Sequence, residues 1–196
     1  MKNNLLQKKL LDLLQDRFTT AESILNNFSK GEDVYDPIKP QAVVFPKNNV
    51  EVSSILKLCN EHNTPVVPYG TGTSLEGHVV GNTDGITLSL EKFDKILSIN
   101  PNDFDCRVQA NVTREQLNEN LKDKGIFFPI DPGANAALGG MAACSASGTM
   151  AVKYGTMKTT VMGLTVVLAN GDIIETGTRA KKTLSLIHIS EPTRPY

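Results

Sequence analysis

A glycine-rich loop that directly follows an apolar segment is the feature that most constrains this chain. The apolar segment is Pro65-Val66-Val67, and the loop reads Pro68-Tyr69-Gly70-Thr71-Gly72-Thr73-Ser74. Glycine permits positive φ and a close approach of the backbone to a ligand, and the intervening hydroxyl and amide groups can converge on a phosphate. The sequence therefore predicts a phosphate or pyrophosphate site at the end of a strand.

A second cluster of small residues supports this prediction. Residues 131–135 read Asp-Pro-Gly-Ala-Asn, residues 138–143 read Leu-Gly-Gly-Met-Ala-Ala, and residues 145–149 read Ser-Ala-Ser-Gly-Thr. Such a segment has too few large side chains to fill an ordinary core. We expect a ligand to occupy the space beside it.

Neither cluster matches the common nucleotide-binding motifs. Gly70, Gly72 and Gly77 miss the G-x-G-x-x-G spacing, and no segment reads G-x-x-x-x-G-K-[ST]. The sequence thus disfavours both a classical dinucleotide-binding fold and a P-loop NTPase.

Length and charge narrow the class of protein. With 196 residues the chain is long enough for one domain with a sizeable core. Charged residues make up 21% and the net charge is −1, so no basic surface points to nucleic acid as a partner.

Three cysteines lie far apart without a C-x-x-C motif, namely Cys59, Cys106 and Cys144. This odd number predicts reduced, mostly buried thiols rather than a disulfide framework. The amino-terminal leucines (Leu6, Leu10, Leu13, Leu14) form a helical stripe that is too polar for a signal peptide or a membrane span. We expect a cytoplasmic protein, and the alternative is peripheral attachment to the inner membrane.

Local patterns predict an α+β fold with mixed β-sheets flanked by helices. Residues 1–40 read as helices followed by a proline-containing linker. Two helices have start signals, a capping box at Asn48-x-x-Glu51 and a cap at Thr113-x-x-Gln116. The predicted strands are 42–45, 65–67, 86–90, 96–99, an alternating segment from Cys106 to Val112, and a hairpin around Asn170-Gly171.

The order of these segments resembles the FAD-linked oxidase family, whose flavin domain is called PCMH-type. The resemblance runs from about Gln41 to Lys182. It is carried by residues 43–46, 65–78, 112–118, 127–134, 138–142 (Leu-Gly-Gly-Met-Ala), 146–149 (Ala-Ser-Gly-Thr), 154–157 (Tyr-Gly-Thr-Met) and 163–171. Within the family it is most similar to the branch that oxidises D-lactate, glycolate and D-2-hydroxyglutarate.

The resemblance implies FAD as the cofactor. Some relatives attach FAD covalently to a histidine in the middle of the first loop, where this chain has Thr73, so we expect non-covalent flavin. The implied cofactor-binding residues are Pro68, Tyr69, Gly70, Thr71, Gly72, Thr73, Ser74, Leu75, Asp131, Pro132, Gly133, Ala134, Leu138, Gly139, Gly140, Ala143, Ser147, Gly148, Tyr154 and Gly155. His78, just beyond the loop, is interpreted as a histidine that packs or hydrogen-bonds, and Lys153 is a weaker candidate for a ligand contact.

The resemblance also implies that this chain is a truncated flavin domain. We expect a helical segment and linker over 1–40, an incomplete PCMH-type domain over 41–182, and a tail over 183–196 that has no counterpart in the family. His62, His78 and His188 lack metal-ligand spacing, and we predict neither a catalytic base nor a metal ligand here. In the family, both belong to a later domain, where a divalent metal such as zinc binds.

The implied activity is oxidation of a small D-2-hydroxy acid, with hydride passing from the α-carbon to FAD. Electrons would then reach a cytochrome, a quinone or a flavoprotein. Two alternatives remain open at this point. The chain could be an inert FAD-binding module, or part of a different FAD-linked oxidoreductase such as a cell-wall enolpyruvyl-sugar reductase.

Overall fold

The computed structural model describes residues 3–179, so the predicted tail and the end of the predicted domain at residue 182 lie outside the described residues. The helices are α1 (Asn4–Leu14), α2 (Glu22–Asn27), α3 (Asn49–Glu61), α4 (Arg114–Leu121), α5 (Leu138–Ala143), α6 (Ala151–Tyr154) and α7 (Met157–Thr160). The strands are β1 (Phe18–Thr19), β2 (Ala42–Val44), β3 (Val66–Tyr69), β4 (Ile86–Ser89), β5 (Ile96–Asn100), β6 (Asp105–Val108), β7 (Gly163–Val167) and β8 (Ile173–Gly177). The mixed sheets with flanking helices confirm the predicted fold class.

The largest sheet has the strand order β1-β2-β4-β3. Strands β2, β4 and β3 run parallel, and β1 pairs antiparallel with β2. The predicted β-α-β unit forms as β2-α3-β3, but its two strands are not neighbours. Ile86 of β4 pairs with Ala42 on one side and Val66 on the other. The glycine loop therefore leaves an edge strand of this sheet.

Helix α1 packs into the same core as this sheet and α3. Leu6, Leu10 and Leu14 are fully buried, whereas Leu13 is exposed. They share a hydrophobic cluster with residues of β2, α3 and β4, including Val44, Ile55 and Ile86. The predicted helical leucine stripe is confirmed, while the boundary at residue 40 stays a prediction.

The predicted capping box at the start of α3 forms only in part. Asn48 accepts a hydrogen bond from the Glu51 backbone N–H at 2.9 Å, as predicted. The Glu51 carboxylate does not return to Asn48. It accepts from the Lys47 N–H at 2.8 Å and forms an ion pair with Arg17, which also donates to the Phe45 carbonyl. Because a charged partner is in reach, the carboxylate links the segment after α1 to α3.

This ion pair predicts a loss of stability in acid. The hydrogen bond from Arg17 holds the pKa of Glu51 below its ordinary value of 4.5. A lowered folded-state pKa stabilises the fold above pH 4.5, and the contribution is lost as pH falls through the lower folded pKa. We expect the melting-temperature difference between wild type and Glu51→Gln to shrink below pH 4.5. The control Glu119→Gln, at an exposed pair with Lys122, should leave the wild-type pH profile unchanged.

A second core lies between α4, α5, α7 and the antiparallel pair β5–β6. Its buried residues include Val112, Leu117, Ile130 and Met141. Thr113 caps α4 by accepting from the Gln116 N–H at 3.2 Å, and Gly125 ends the following turn with φ +68°. Both features confirm the predicted helix. The strand predicted to reach Val112 ends at Val108, although the chain beyond it still bonds to the segment before β5.

Strands β7 and β8 form the predicted hairpin, with a longer turn than the Asn-Gly signal suggests. Gly171 has φ +86°, and its N–H donates to the Leu168 carbonyl at 2.8 Å. The Leu168 N–H in turn donates to Asp172. Only the glycine of the pair adopts positive φ, which is the pattern of a three-residue loop with a bulge. Arg179, beyond β8, bonds to Asp105 of β6 at 2.8 Å.

Candidate cofactor site

The glycine loop after β3 is held from behind by the segment after α2. The Tyr69 ring points into the protein: its hydroxyl donates to the Lys30 carbonyl at 3.1 Å, and it packs edge-on against Phe28. Burial, followed by the nearby acidic side chains, raises the pKa of Tyr69. Gly72 has φ +76°, and an added Cβ would lie 2.3 Å from the Tyr69 hydroxyl. Tyr69 therefore supports the loop, and its contact with the cofactor stays a prediction.

The outer side of the loop offers hydrogen-bond donors. The backbone N–H groups of residues 70–75 donate no hydrogen bond to any group within residues 3–179. The hydroxyls of Thr71 and Thr73 lie 3.3 Å apart, and Thr71 is exposed. A loop with a run of unpaired backbone amides and neighbouring hydroxyls is suited to binding an anion.

The structure brings the second small-residue cluster against this loop. The Ala137 N–H donates to the Thr71 hydroxyl at 3.3 Å, and a Cβ on Gly70 would lie 3.3 Å from the Ala137 Cβ. At its other end, the loop continues to His78, whose Nδ1 lies 3.6 Å from the Sγ of Cys144. Since Ala137 and Cys144 flank α5, the loop and α5 lie side by side. We call these two segments, residues 70–78 and 137–144, the two walls of the cradle.

The two adjacent glycines of α5 have different surroundings. A Cβ on Gly139 would lie 2.7 Å from the Ala110 Cβ and 2.8 Å from its carbonyl oxygen. A Cβ on Gly140 would meet nothing within 4 Å. Gly140 and Ala143 are both exposed and lie one turn apart. Gly139 is thus needed for packing, whereas Gly140 and Ala143 give α5 a bare outer face.

The remaining predicted segments contact one another next to α5. A Cβ on Gly148 would lie 2.1 Å from the Asp131 carbonyl oxygen, so these backbones touch. The Asp131 carboxylate accepts from the Gly133 N–H at 3.0 Å and lies 3.5 Å from the Arg114 guanidinium. Asp131 is therefore used within the protein. Pro132, Gly133 and Ser147 are exposed, and Ala134 is half-buried.

The Tyr154-Gly155 segment follows α6. The Tyr154 ring packs edge-on against Phe127 with ring centres 5.4 Å apart, and the Lys153 ammonium lies 4.8 Å from its centre. Gly155 has φ +81°. Tyr154 and the weaker candidate Lys153 are both exposed, and their side chains contact each other.

Two features of the cradle were missed by sequence reasoning. The side-chain oxygen of Asn111 is buried without a hydrogen-bond partner among the described residues, and it lies 3.5 Å from the Cβ position of Gly70. The backbone of Gly31 and Glu32 closes the rear of the loop, since the Glu32 N–H donates to the Gly72 carbonyl at 3.0 Å. Gly31 and Glu32 lie in the predicted helical segment and linker, and Asn111 lies in the predicted strand two residues before the helix cap Thr113, so neither position was singled out.

The cysteines only partly follow the prediction of mostly buried thiols. Cys59 is buried, and burial raises its pKa to about 12. Cys106 is half-buried, and burial again raises its pKa. Cys144 is exposed, which corrects the prediction for this residue. The reason is its position just after α5, at the open end of the cradle.

Residues 3–179 contain neither a cluster of metal ligands nor a membrane-spanning helix. No three His, Cys, Asp or Glu residues in this range lie close enough together to hold a metal ion. No helix in the same range is both long and apolar enough to cross a bilayer.

The cradle fits a dinucleotide with a pyrophosphate and hydroxyl groups. The unpaired amides of residues 70–75 suit the phosphate oxygens, and the bare face of α5 leaves room for a ligand. The unpaired oxygen of Asn111 requires a donor, which phosphate lacks and a sugar or ribityl hydroxyl supplies.

Curated proteins with similar sequences fall in one functional group. The chain is 44% identical over 168 residues to a probable mitochondrial D-lactate dehydrogenase of Danio rerio, a match that covers 84% of this chain and 34% of the relative. It is 37% identical over 148 residues to the glycolate oxidase subunit GlcD of Bacillus subtilis, covering 74% of this chain and 32% of the relative. The chain thus spans about a third of the length of these relatives.

Solved structures of low sequence identity share this fold. Alkyldihydroxyacetonephosphate synthase superposes with a TM-score of 0.80 at 18% identity, covering 96% of this chain and 38% of that one. For p-cresol methylhydroxylase the TM-score is 0.71 at 23% identity, with 95% and 37% covered. At such identities the likeness establishes the fold alone.

Residues 40–177 match the family described as "FAD binding domain". This range contains both walls of the cradle and the second core. The resemblance inferred from the sequence is thereby confirmed, and the chain belongs to the FAD-linked oxidase family through its PCMH-type FAD binding domain.

Proposed function

We propose that this chain is the FAD-binding part of a flavin-dependent D-2-hydroxy-acid dehydrogenase of the D-lactate or glycolate type. The observation that carries the proposal is the run of unpaired amides at residues 70–75 beside the bare face of α5. The substrate class comes from the names of the relatives, which include D-lactate dehydrogenases and a glycolate oxidase subunit.

In this proposal the cradle residues divide into those that touch FAD and those that support them. The amides of Gly70, Thr71 and Thr73 bind the pyrophosphate, and Gly140 and Ala143 leave space for the cofactor. Tyr69 and Asp131, both engaged with protein groups, hold the loop and the segment 131–134 in place. The rest of the twenty predicted residues stay proposed contacts.

The bound flavin would accept hydride from the substrate α-carbon, and the chemistry of that transfer is the cofactor's own. The residues of this chain bind and orient it. Amides held in a fixed loop without other partners lose little freedom on binding, so the site is preorganised for an anion. Thr73 has a hydroxyl rather than an imidazole, which supports non-covalent attachment.

We further propose that the remaining components of the reaction lie in the two thirds of the relatives that this chain does not match. These components are a catalytic base and a divalent metal such as zinc. A cytochrome is the preferred electron acceptor because relatives are named cytochrome-type D-lactate dehydrogenases, with a quinone or a flavoprotein as alternatives. A cytoplasmic location, or one at the inner membrane, stays a prediction.

The proposal is tested by titrating the flavin-free chain with FAD and following flavin fluorescence and the visible spectrum. We expect saturable binding, and we expect acid precipitation to release all the flavin into the supernatant because attachment is non-covalent. Gly140→Val, whose Cβ would have no protein atom within 4 Å, should weaken FAD binding at least about tenfold, equivalent to about 1.4 kcal/mol, while circular dichroism shows that the fold is retained.

Three outcomes would contradict parts of this proposal. Failure of the folded wild-type chain to bind FAD overturns the flavin site. Full affinity of Gly140→Val overturns the assignment of the bare face of α5 to the cofactor. Bleaching of the bound flavin by D-lactate would show that this chain contains its own catalytic base, contrary to the division of labour proposed above.

A further inference from the structure

His78 and Cys144 face each other across the open end of the cradle, one from each wall. The His78 Nδ1 lies 3.6 Å from the Cys144 Sγ and 3.0 Å from the Ser74 hydroxyl. Both His78 and Cys144 are exposed, so water and solutes reach the two donor atoms. Neither residue is among the predicted FAD contacts.

We propose that this thiol–imidazole pair binds one soft divalent cation of the Zn²⁺ class and ties the two walls together. Zinc binds thiolate sulfur at about 2.3 Å and imidazole nitrogen at about 2.0 Å, and a tetrahedral angle then separates the two donors by about 3.5 Å. The observed 3.6 Å matches this separation without movement of either wall. The hydroxyl of Ser74 lies on the same side of the ring and offers a further oxygen.

Sulfur and nitrogen donors select this class of cation over Mg²⁺ or Ca²⁺, which prefer oxygen. When the metal–sulfur bond forms, the thiol releases one proton to the solvent, and no electron is transferred. With two protein side chains as ligands, water completes the coordination, and we expect micromolar rather than structural affinity. The other cysteines are unsuited, because Cys59 is buried and Cys106 is half-buried.

The cation has a consequence for the proposed function, on which this step rests. His78 ends one wall and Cys144 ends the other, so a metal between them restrains the loop against α5. Because FAD enters between these walls, the bound cation slows flavin association with the flavin-free protein. Zinc thereby acts as an inhibitor of cofactor loading rather than as part of the reaction.

The test uses Co²⁺ with the flavin-free full chain, because thiolate-bound Co²⁺ shows a sulfur-to-metal charge-transfer band in the near ultraviolet. We expect this band in the wild type, its displacement by Zn²⁺, its loss in Cys144→Ser, and at least about tenfold weaker binding in His78→Asn, since each ligand supplies much of the affinity. Cys106→Ser and His62→Asn are the matched controls and should bind Co²⁺ as the wild type does. All variants are checked by circular dichroism.

A band that survives Cys144→Ser overturns the site, and so does unchanged affinity of His78→Asn, which would leave a thiol acting alone. Stopped-flow FAD association, measured with Zn²⁺ and again after addition of a chelator, tests the consequence for loading. An unchanged rate overturns that consequence. Because the Co²⁺ titration contains no flavin, its result is independent of whether the proposed FAD site is correct.

Discussion

Replacing Gly139 with alanine is expected to lower the free energy of unfolding by about 1–3 kcal/mol, as overpacking does in a well-packed site. The added methyl would lie 2.7 Å from the Ala110 Cβ and 2.8 Å from its carbonyl oxygen. Both are atoms of a short residue that cannot rotate away. Helix α5 would have to move away from the segment after β6, which stretches the 2.7 Å hydrogen bond from the Gly139 N–H to the Ala110 carbonyl. Urea denaturation followed by circular dichroism measures the change.

The same displacement should reduce FAD affinity, because Ala137, two residues before Gly139, donates to the Thr71 hydroxyl of the loop. For stability, Gly140→Ala on the next residue is the matched control. Its methyl enters open space, and replacing a helical glycine by alanine favours the helix by up to about 1 kcal/mol. Equal stability of the two variants would contradict the packing role of Gly139 and with it the placement of α5.

These two glycines also show what sequence reasoning can and cannot predict in the site. The sequence singled out the small-residue segment as a place for a ligand, and the structure brings this segment against the loop. Gly139 and Gly140 are nevertheless indistinguishable in the sequence. Only the position of Ala110, about thirty residues earlier in the chain, makes one a packing residue and leaves the other open. The supporting roles of Tyr69 and Asp131 were likewise not predictable, because their partners Lys30 and Arg114 belong to other segments of the chain.

The central position of β4 in the sheet could not be predicted from its own sequence either, because it too depends on distant segments. Ile86-Thr87-Leu88-Ser89 alternates apolar and polar residues, a pattern typical of a strand with one face in water. All four residues are buried, because β4 lies between β2 and β3 and both of its faces are covered. Helix starts were more predictable: Asn48 and Thr113 cap their helices as the sequence indicates, since a cap depends on three or four neighbouring residues.

Replacing Leu10 in α1 with alanine is expected to lower the free energy of unfolding by about 2–5 kcal/mol. Leu10 is fully buried, and it belongs to the cluster formed with β2, α3 and β4. The smaller side chain leaves a cavity that the surrounding strands cannot close without bending. Urea denaturation monitored both by far-ultraviolet circular dichroism and by FAD binding measures the effect on the helix and on the cradle together.

Leu11→Ala is the matched control, one position along the same helix with a side chain that is 47% exposed. A surface substitution of this kind should change stability by no more than about 0.5 kcal/mol. If Leu10→Ala were as mild as Leu11→Ala, α1 would be separable from the flavin domain, as a boundary at residue 40 implies. If Leu10→Ala weakens the fold and FAD binding in parallel, α1 is part of the folding unit that holds the cradle. The buried leucines and the Arg17–Glu51 ion pair favour the second result.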